Sequence, residues 1–188
     1  MNEKSRVLII GASGRIGKEI YKIFNVESNK NFFDIFGTFH SNPVTEFEKI
    51  DITDIDSVKN VINKIKPNII YLPFKSDVHS DHKYIFDAAY SCTKSFRYPF
   101  IEKIYMMETL SETEFSLSTK EDSFVPNVFV DISKHMDRKI EIMKVYESEI
   151  HDHPFPRSER NIKALATYRG AIAGCEYAES FMLVKEIK

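Results

Sequence analysis

Residues 6 to 12, Arg-Val-Leu-Ile-Ile-Gly-Ala, form a continuous apolar run that ends at glycine. A run this short, apolar on both faces, reads as a strand buried between layers. It leads through Ser13-Gly14-Arg15-Ile16-Gly17 into Ile16, Ile20, Ile23 and Phe24, which fall on one face of a helix over 18–24. The same alternation then recurs. Strands are predicted over 33–39, 47–52, 68–72, 103–107 and 125–130. Between them a helix carries Val58, Val61, Ile62 and Ile65, capped by Asp54 or Asp56 and stopped by Pro67, and a second presents Ile85, Ala88 and Ala89. Further helices are expected over 134–149 and, behind Ser158, from Glu159 to about Gly170. Strands that alternate with helices at this spacing specify an α/β fold of βαβ units. The expected form is a three-layer Rossmann-like open, mostly parallel sheet with helices on both faces. Nothing resembling a linker or repeat interrupts it, so residues 1–188 are read as a single domain, with a nucleotide-binding-like half over 1–70 and the remainder in 71–188.

Composition narrows the partners. The 188 residues carry 26 Lys and Arg against 28 Asp and Glu, a net charge of −2. No global field draws such a chain to nucleic acid or to an anionic membrane surface. No apolar run approaches the roughly 18 residues of a membrane span, and Met-Asn-Glu-Lys-Ser-Arg opens without a signal-like apolar stretch, so a cytoplasmic location is expected. Cys92 and Cys175 stand far apart without zinc-binding spacing, and both read as small buried hydrophobes.

Two constellations carry chemistry. Gly11, Gly14 and Gly17 have the spacing of a dinucleotide-binding turn, in which backbone N–H groups and a helix N-terminus meet a pyrophosphate. Asp77-Val78-His79-Ser80-Asp81-His82 sets two imidazoles three residues apart beside two carboxylates, just beyond the fourth strand. Open α/β sheets bind ligands there, and a carboxylate can orient a histidine through its second ring nitrogen.

Over residues 6 to 72, GASGRIG, IFGTFHSNP and FEKIDITDIDSVKNVINKIKPNIIYLP resemble the start of the extended short-chain dehydrogenase/reductases, of the dTDP-4-dehydrorhamnose reductase type. That resemblance implies NAD(P) contacts from Gly11, Ser13, Gly14, Arg15, Ile16, Gly17, His40, Asp51 and Ile52. The family's Tyr-x-x-x-Lys pair has no counterpart beyond Tyr90–Lys94, which comes too early, so this reading is of a nucleotide- or sugar-nucleotide-binding module without redox catalysis.

From about residue 66 to 188 the chain is similar to the PIG-L/LmbE-like zinc deacetylases, which remove acetyl groups from N-acetylglucosamine-containing substrates. The carriers are KPNIIYLPFKSDVHSDH, RYPFIEKIYMMETLSETEF, VFVDISKHMDRKIEIMKVYES and HPFPRSERNIKALATYRGAIAGCEYAESFMLV. The resemblance implies an amino-sugar substrate, zinc bound by His82, and His79 beside the tetrahedral oxyanion, with Asp81 counted in the catalytic group. It assigns no catalytic role to Glu108, Arg157 or Tyr177. Family members also begin with a strand ending Gly-Ala-His-Pro-Asp-Asp, which supplies the other two ligands and the general base. Here that stretch is Gly11-Ala12-Ser13-Gly14-Arg15-Ile16, so the zinc site is expected to be incomplete. A second subunit of a homo-oligomer, or His40 with Asp51 or Asp54, could complete it.

Overall fold

The computed structural model describes residues 4–10, 15–27, 29–117 and 122–188. Its strands are β1 (Ser5–Ile9), β2 (Phe33–Phe39), β3 (Glu48–Lys49), β4 (Ile69–Pro73), β5 (Lys103–Met107), β6 (Val128–Asp131) and β7 (Ala178–Glu186). Its helices are α1 (Arg15–Phe24), α2 (Ile55–Ile65), α3 (Ser80–Tyr90), α4 (Met136–Lys144) and α5 (Glu159–Ala173). The chain is α/β, as the alternation specifies. Its strands fall into two sheets, one ordered β1-β2-β3 and one ordered β4-β5-β7-β6. β1 and β2 pair in parallel from Ser5↔Phe33 to Ile9↔Gly37, and β2 and β3 pair in parallel at Thr38↔Glu48 and Phe39↔Lys49. β6 and β7 are antiparallel, from Val128↔Phe181 to Asp131↔Ala178. Among the described residues no helix is long and apolar enough to cross a membrane.

Two compact units divide the chain. The first comprises Met1–Leu72, Tyr84–Ile104 and Lys185–Lys188, the second Pro73–Lys83 and Tyr105–Val184. In the first, the apolar face of α2 places Val58, Val61, Ile62 and Ile65 at no more than 5% exposure, against Ile50, Ile70, Leu72, Ala88, Ala89 and Ile104. Each such aliphatic side chain gains roughly 1.5–3 kcal/mol on burial. Asp54 is the cap: its side chain accepts from the Asp56 N–H at 3.0 Å. Lys66, at φ 55°, closes the helix in the left-handed region directly before Pro67. Cys92 is fully buried here, as the sequence suggests.

In the second unit α4 and α5 enclose Ile132, Met136, Ile140, Ile162 and Ala166. α4 is shorter than its periodicity predicts, because the chain leaves it through turns at Val145 and Tyr146 that bury the Tyr146 ring. Glu159 opens α5 between Lys144 and Lys163, both at 2.8 Å, and their hydrogen bonds hold its carboxyl down to about 2. Ser158, 2% exposed, caps the helix by accepting from the Asn161 N–H at 3.2 Å. Ser158→Ala is expected to cost about 1 kcal/mol, read as a lower urea midpoint at unchanged m-value. Cys175 is only half-buried, and its thiol donates to the Tyr177 carbonyl at 3.4 Å. Neither cysteine forms a disulfide.

Candidate functional site

The loop that leaves β4 is anchored by Phe74, 1% exposed, whose ring meets Phe124 edge-on at 5.4 Å. The Asp77 N–H closes a turn onto the Phe74 carbonyl at 3.0 Å, which carries the Asp77 side chain to a fully buried position. Two residues on, His79 precedes α3, and His82 lies in the first turn of that helix. The two imidazoles lie 5.3 Å apart with their planes 35° from parallel.

Hydrogen bonds give the two rings opposite characters. His82 Nδ1 lies 2.8 Å from Asp77 Oδ2, and a carboxylate only accepts, so Nδ1 carries a proton and, in the neutral ring, Nε2 keeps its lone pair. His79 Nδ1 accepts from the Asp81 N–H at 3.2 Å, so its neutral ring carries the proton on Nε2. One outer nitrogen accepts and its neighbour donates. His82 is about a quarter exposed at the side chain, whereas His79 and Asp81 are open to solvent.

A second loop, following β5, completes the arrangement. Thr113 Oγ1 donates to Asp77 Oδ1 at 2.7 Å and accepts from the Thr109 N–H at 2.9 Å. The Val78 N–H reaches the Glu112 carbonyl at 3.4 Å. Nearby, Arg157 joins Ser111 Oγ at 2.7 Å to Glu149 at 2.6 Å and ties the same loop down.

The structure thus brings His79, Asp81 and His82 together, with Asp81 contributing its backbone N–H. Asp77 holds the orienting position within the motif and Thr113 stands behind it. The spacing of five residues from Asp77 to His82 is a local signal for the first. Nothing in the sequence signals Thr113, which is 36 residues from Asp77.

Of the residues assigned to a dinucleotide, Gly11, Ser13 and Gly14 lie outside the described residues, and Arg15, Ile16 and Gly17 begin α1. His40 Nε2 lies 3.8 Å from Asp51 Oδ2, in the first unit. The Thr53 hydroxyl and N–H hold the Asp51 carboxyl below the usual range, and His40 adds to this. Ile52 is half-buried beside them.

Zinc does not fit the described donor set. Among the described residues no group of three His, Cys, Asp or Glu side chains could hold a metal ion. His82 Nε2 would be one ligand where a catalytic zinc site takes three from the protein.

No protein-family model matches the chain. Its sequence is similar to diacetylchitobiose deacetylase from Thermococcus kodakarensis, 24% identical over 133 residues, which are 69% of this chain and 50% of the relative. The chain therefore spans half the length of that curated relative. Among solved structures, N,N'-diacetylchitobiose deacetylase from Pyrococcus horikoshii matches with a TM-score of 0.54 at 15% identity, over 96% of this chain and 82% of the other. The 4-carboxy-2-hydroxymuconate hydratase GalB from Pseudomonas putida matches with a TM-score of 0.57 at 12% identity, over 100% and 98%. A dTDP-4-dehydrorhamnose reductase from Bacillus anthracis is 34% identical, but over 38% of this chain and 21% of its own, with a TM-score of 0.28. The deacetylase resemblance therefore holds in sequence and in fold. The reductase resemblance is confined to a partial match, and NAD(P) finds no support from it. A fold shared by deacetylases and a hydratase does not by itself choose between their reactions.

Proposed function

We propose that the chain is a PIG-L/LmbE-like deacetylase, acting on the N-acetyl group of N-acetylglucosamine-type sugars through His79 and His82, with an incomplete zinc site. The observation that carries this reading is the pair of adjacent imidazoles whose Nδ1 atoms face opposite kinds of partner, the Asp77 carboxylate at His82 and the Asp81 N–H at His79. Amide hydrolysis needs both functions. A water attacks the acetyl carbonyl carbon while His82 Nε2 accepts its proton, and the imidazolium that forms is stabilised by the buried Asp77 carboxylate. The carbonyl oxygen gains charge and takes a hydrogen bond from His79 Nε2–H. The C–N bond then breaks, the proton passes from His82 to the departing amine, and acetate and a free amino sugar leave.

The purified chain incubated with N,N'-diacetylchitobiose is expected to release acetate and primary amine in equal amounts. His79→Ala should lower the rate by about 10²–10³-fold, the usual effect of losing an oxyanion donor. Release no faster than from a folded variant lacking both histidines would overturn the reading. Bound zinc is expected to fall short of one ion per chain. Stoichiometric zinc that disappears in His82→Ala would show instead that the chain completes the metal site.

A further inference from the structure

We infer that Thr113 is a positioning residue of this site, acting on His82 through Asp77. The inference rests on the reading of His82 Nε2 as the accepting nitrogen, and its test is independent of any sugar chemistry.

Asp77 is fully buried, and its two oxygens are divided between two partners. Oδ1 takes the Thr113 hydroxyl at 2.7 Å and Oδ2 takes His82 Nδ1 at 2.8 Å. Thr113, itself 7% exposed, is held in turn, because its Oγ1 already accepts from the Thr109 N–H at 2.9 Å. That bond occupies a lone pair and commits the hydroxyl hydrogen to Asp77. The carboxylate plane is thereby set from behind, and only Oδ2 is left to face the imidazole. Removing the Thr113 hydroxyl leaves Oδ1 unpaired in a buried site, which is costly, and it also releases the hold that sets the carboxylate plane. Oδ2 is then no longer fixed in line with His82 Nδ1, and the bias that keeps the proton on Nδ1 weakens. The ring would populate the other tautomer, with its outer nitrogen protonated and unable to accept.

The experiment uses the full chain labelled with ¹⁵N at histidine, with the His82 tautomer read from long-range ¹H–¹⁵N correlations. The unaltered protein is expected to show the Nδ1-protonated pattern at His82 and a Thr113 hydroxyl proton protected from exchange. Thr113→Val is expected to collapse the separation of the two ring nitrogen shifts toward a mixed tautomer, and Thr113→Ser to restore it. A Thr113→Val protein that melts lower but keeps the pure Nδ1-protonated pattern would overturn the inference, since a purely structural role moves stability and leaves the tautomer alone. If Thr113→Val does not fold, the unaltered protein decides: an unprotected Thr113 hydroxyl or an Nε2-protonated His82 overturns the relay. A relay that passes this test in a protein that releases no acetate would sink the deacetylase reading and leave the inference standing.

Discussion

Glu108→Ala is expected to cost about 3 kcal/mol, because it breaks a nearly buried ion pair from one side. The Glu108 carboxylate takes both arms of Arg169, Nη2 onto Oε1 at 2.6 Å and Nε onto Oε2 at 3.0 Å, and Oε2 also accepts the Ser180 hydroxyl at 2.8 Å. The two charged side chains are only 15% and 13% exposed. A bidentate pair at that burial is geometrically specific, and it is poorly screened by solvent. Truncating Glu108 leaves a nearly buried guanidinium against the Tyr168 ring, 5.2 Å from its Cζ. For a chain of this length the loss corresponds to a melting temperature lower by roughly 6–12 °C. The double replacement Glu108→Leu with Arg169→Met should recover most of the loss, because removing both charges leaves neither unpaired. A double variant as unstable as the single one would show that the damage lies in packing and not in charge. Because Glu108 directly precedes the loop that holds Thr109 and Thr113, the single variant should also broaden the His82 ring signals.

Gly170→Ala should destabilise by about 2 kcal/mol, although alanine in place of glycine inside a helix ordinarily gains about 1 kcal/mol. Gly170 lies within α5, and a Cβ there would meet the Glu176 carbonyl oxygen at 2.6 Å and the Cys175 carbonyl oxygen at 2.7 Å. Both obstacles are backbone, so no side chain can swing aside. The crowding follows from how α5 ends. Gly174, at φ 74°, turns the chain back so that the Gly174 and Cys175 N–H groups both bond to the Gly170 carbonyl. Gly174→Ala meets nothing within 4 Å, and its cost, about 1 kcal/mol, comes from the left-handed backbone alone. Denaturant midpoints for the two variants should therefore fall in the order Gly170→Ala below Gly174→Ala below the parent. The reverse order would refute the steric account.

These two glycines mark a limit of reading the chain from its sequence. Periodicity ends the last helix at Gly170, where a glycine is the expected stop, but the structure continues it to Ala173. Gly170 leaves no room for a Cβ because the turn that ends α5 brings the Cys175 and Glu176 carbonyls back onto it, and the path of that turn is recognisable only once folded. β3 is likewise shorter than its strand character suggests. Residues 47–52 have strand character, yet the strand is confined to Glu48 and Lys49, paired with Thr38 and Phe39 of β2; the Ile50 N–H still bonds to the Phe39 carbonyl at 2.8 Å, and its side chain is 2% exposed.

Where the signal is local, the sequence is enough. β2 and β5 begin and end where their apolar runs do, α2 buries the four residues its spacing selects, and Ser158 is the cap it was expected to be. The HxDH segment carries its own chemistry for the same reason: His79, Asp81, His82 and Asp77 lie within six residues, and one turn of chain sets their distances. The tertiary structure alone decided which partners stand behind them. Thr113 reaches Asp77 across 36 residues and Arg169 reaches Glu108 across 61, and contacts over such separations leave no period or spacing in the chain. The sequence by itself determined the α/β alternation and the presence of two imidazoles beside a carboxylate. Tertiary packing decided which nitrogen of His82 is left to act, because burial removes the water that would otherwise satisfy Asp77 and makes its two protein partners obligatory.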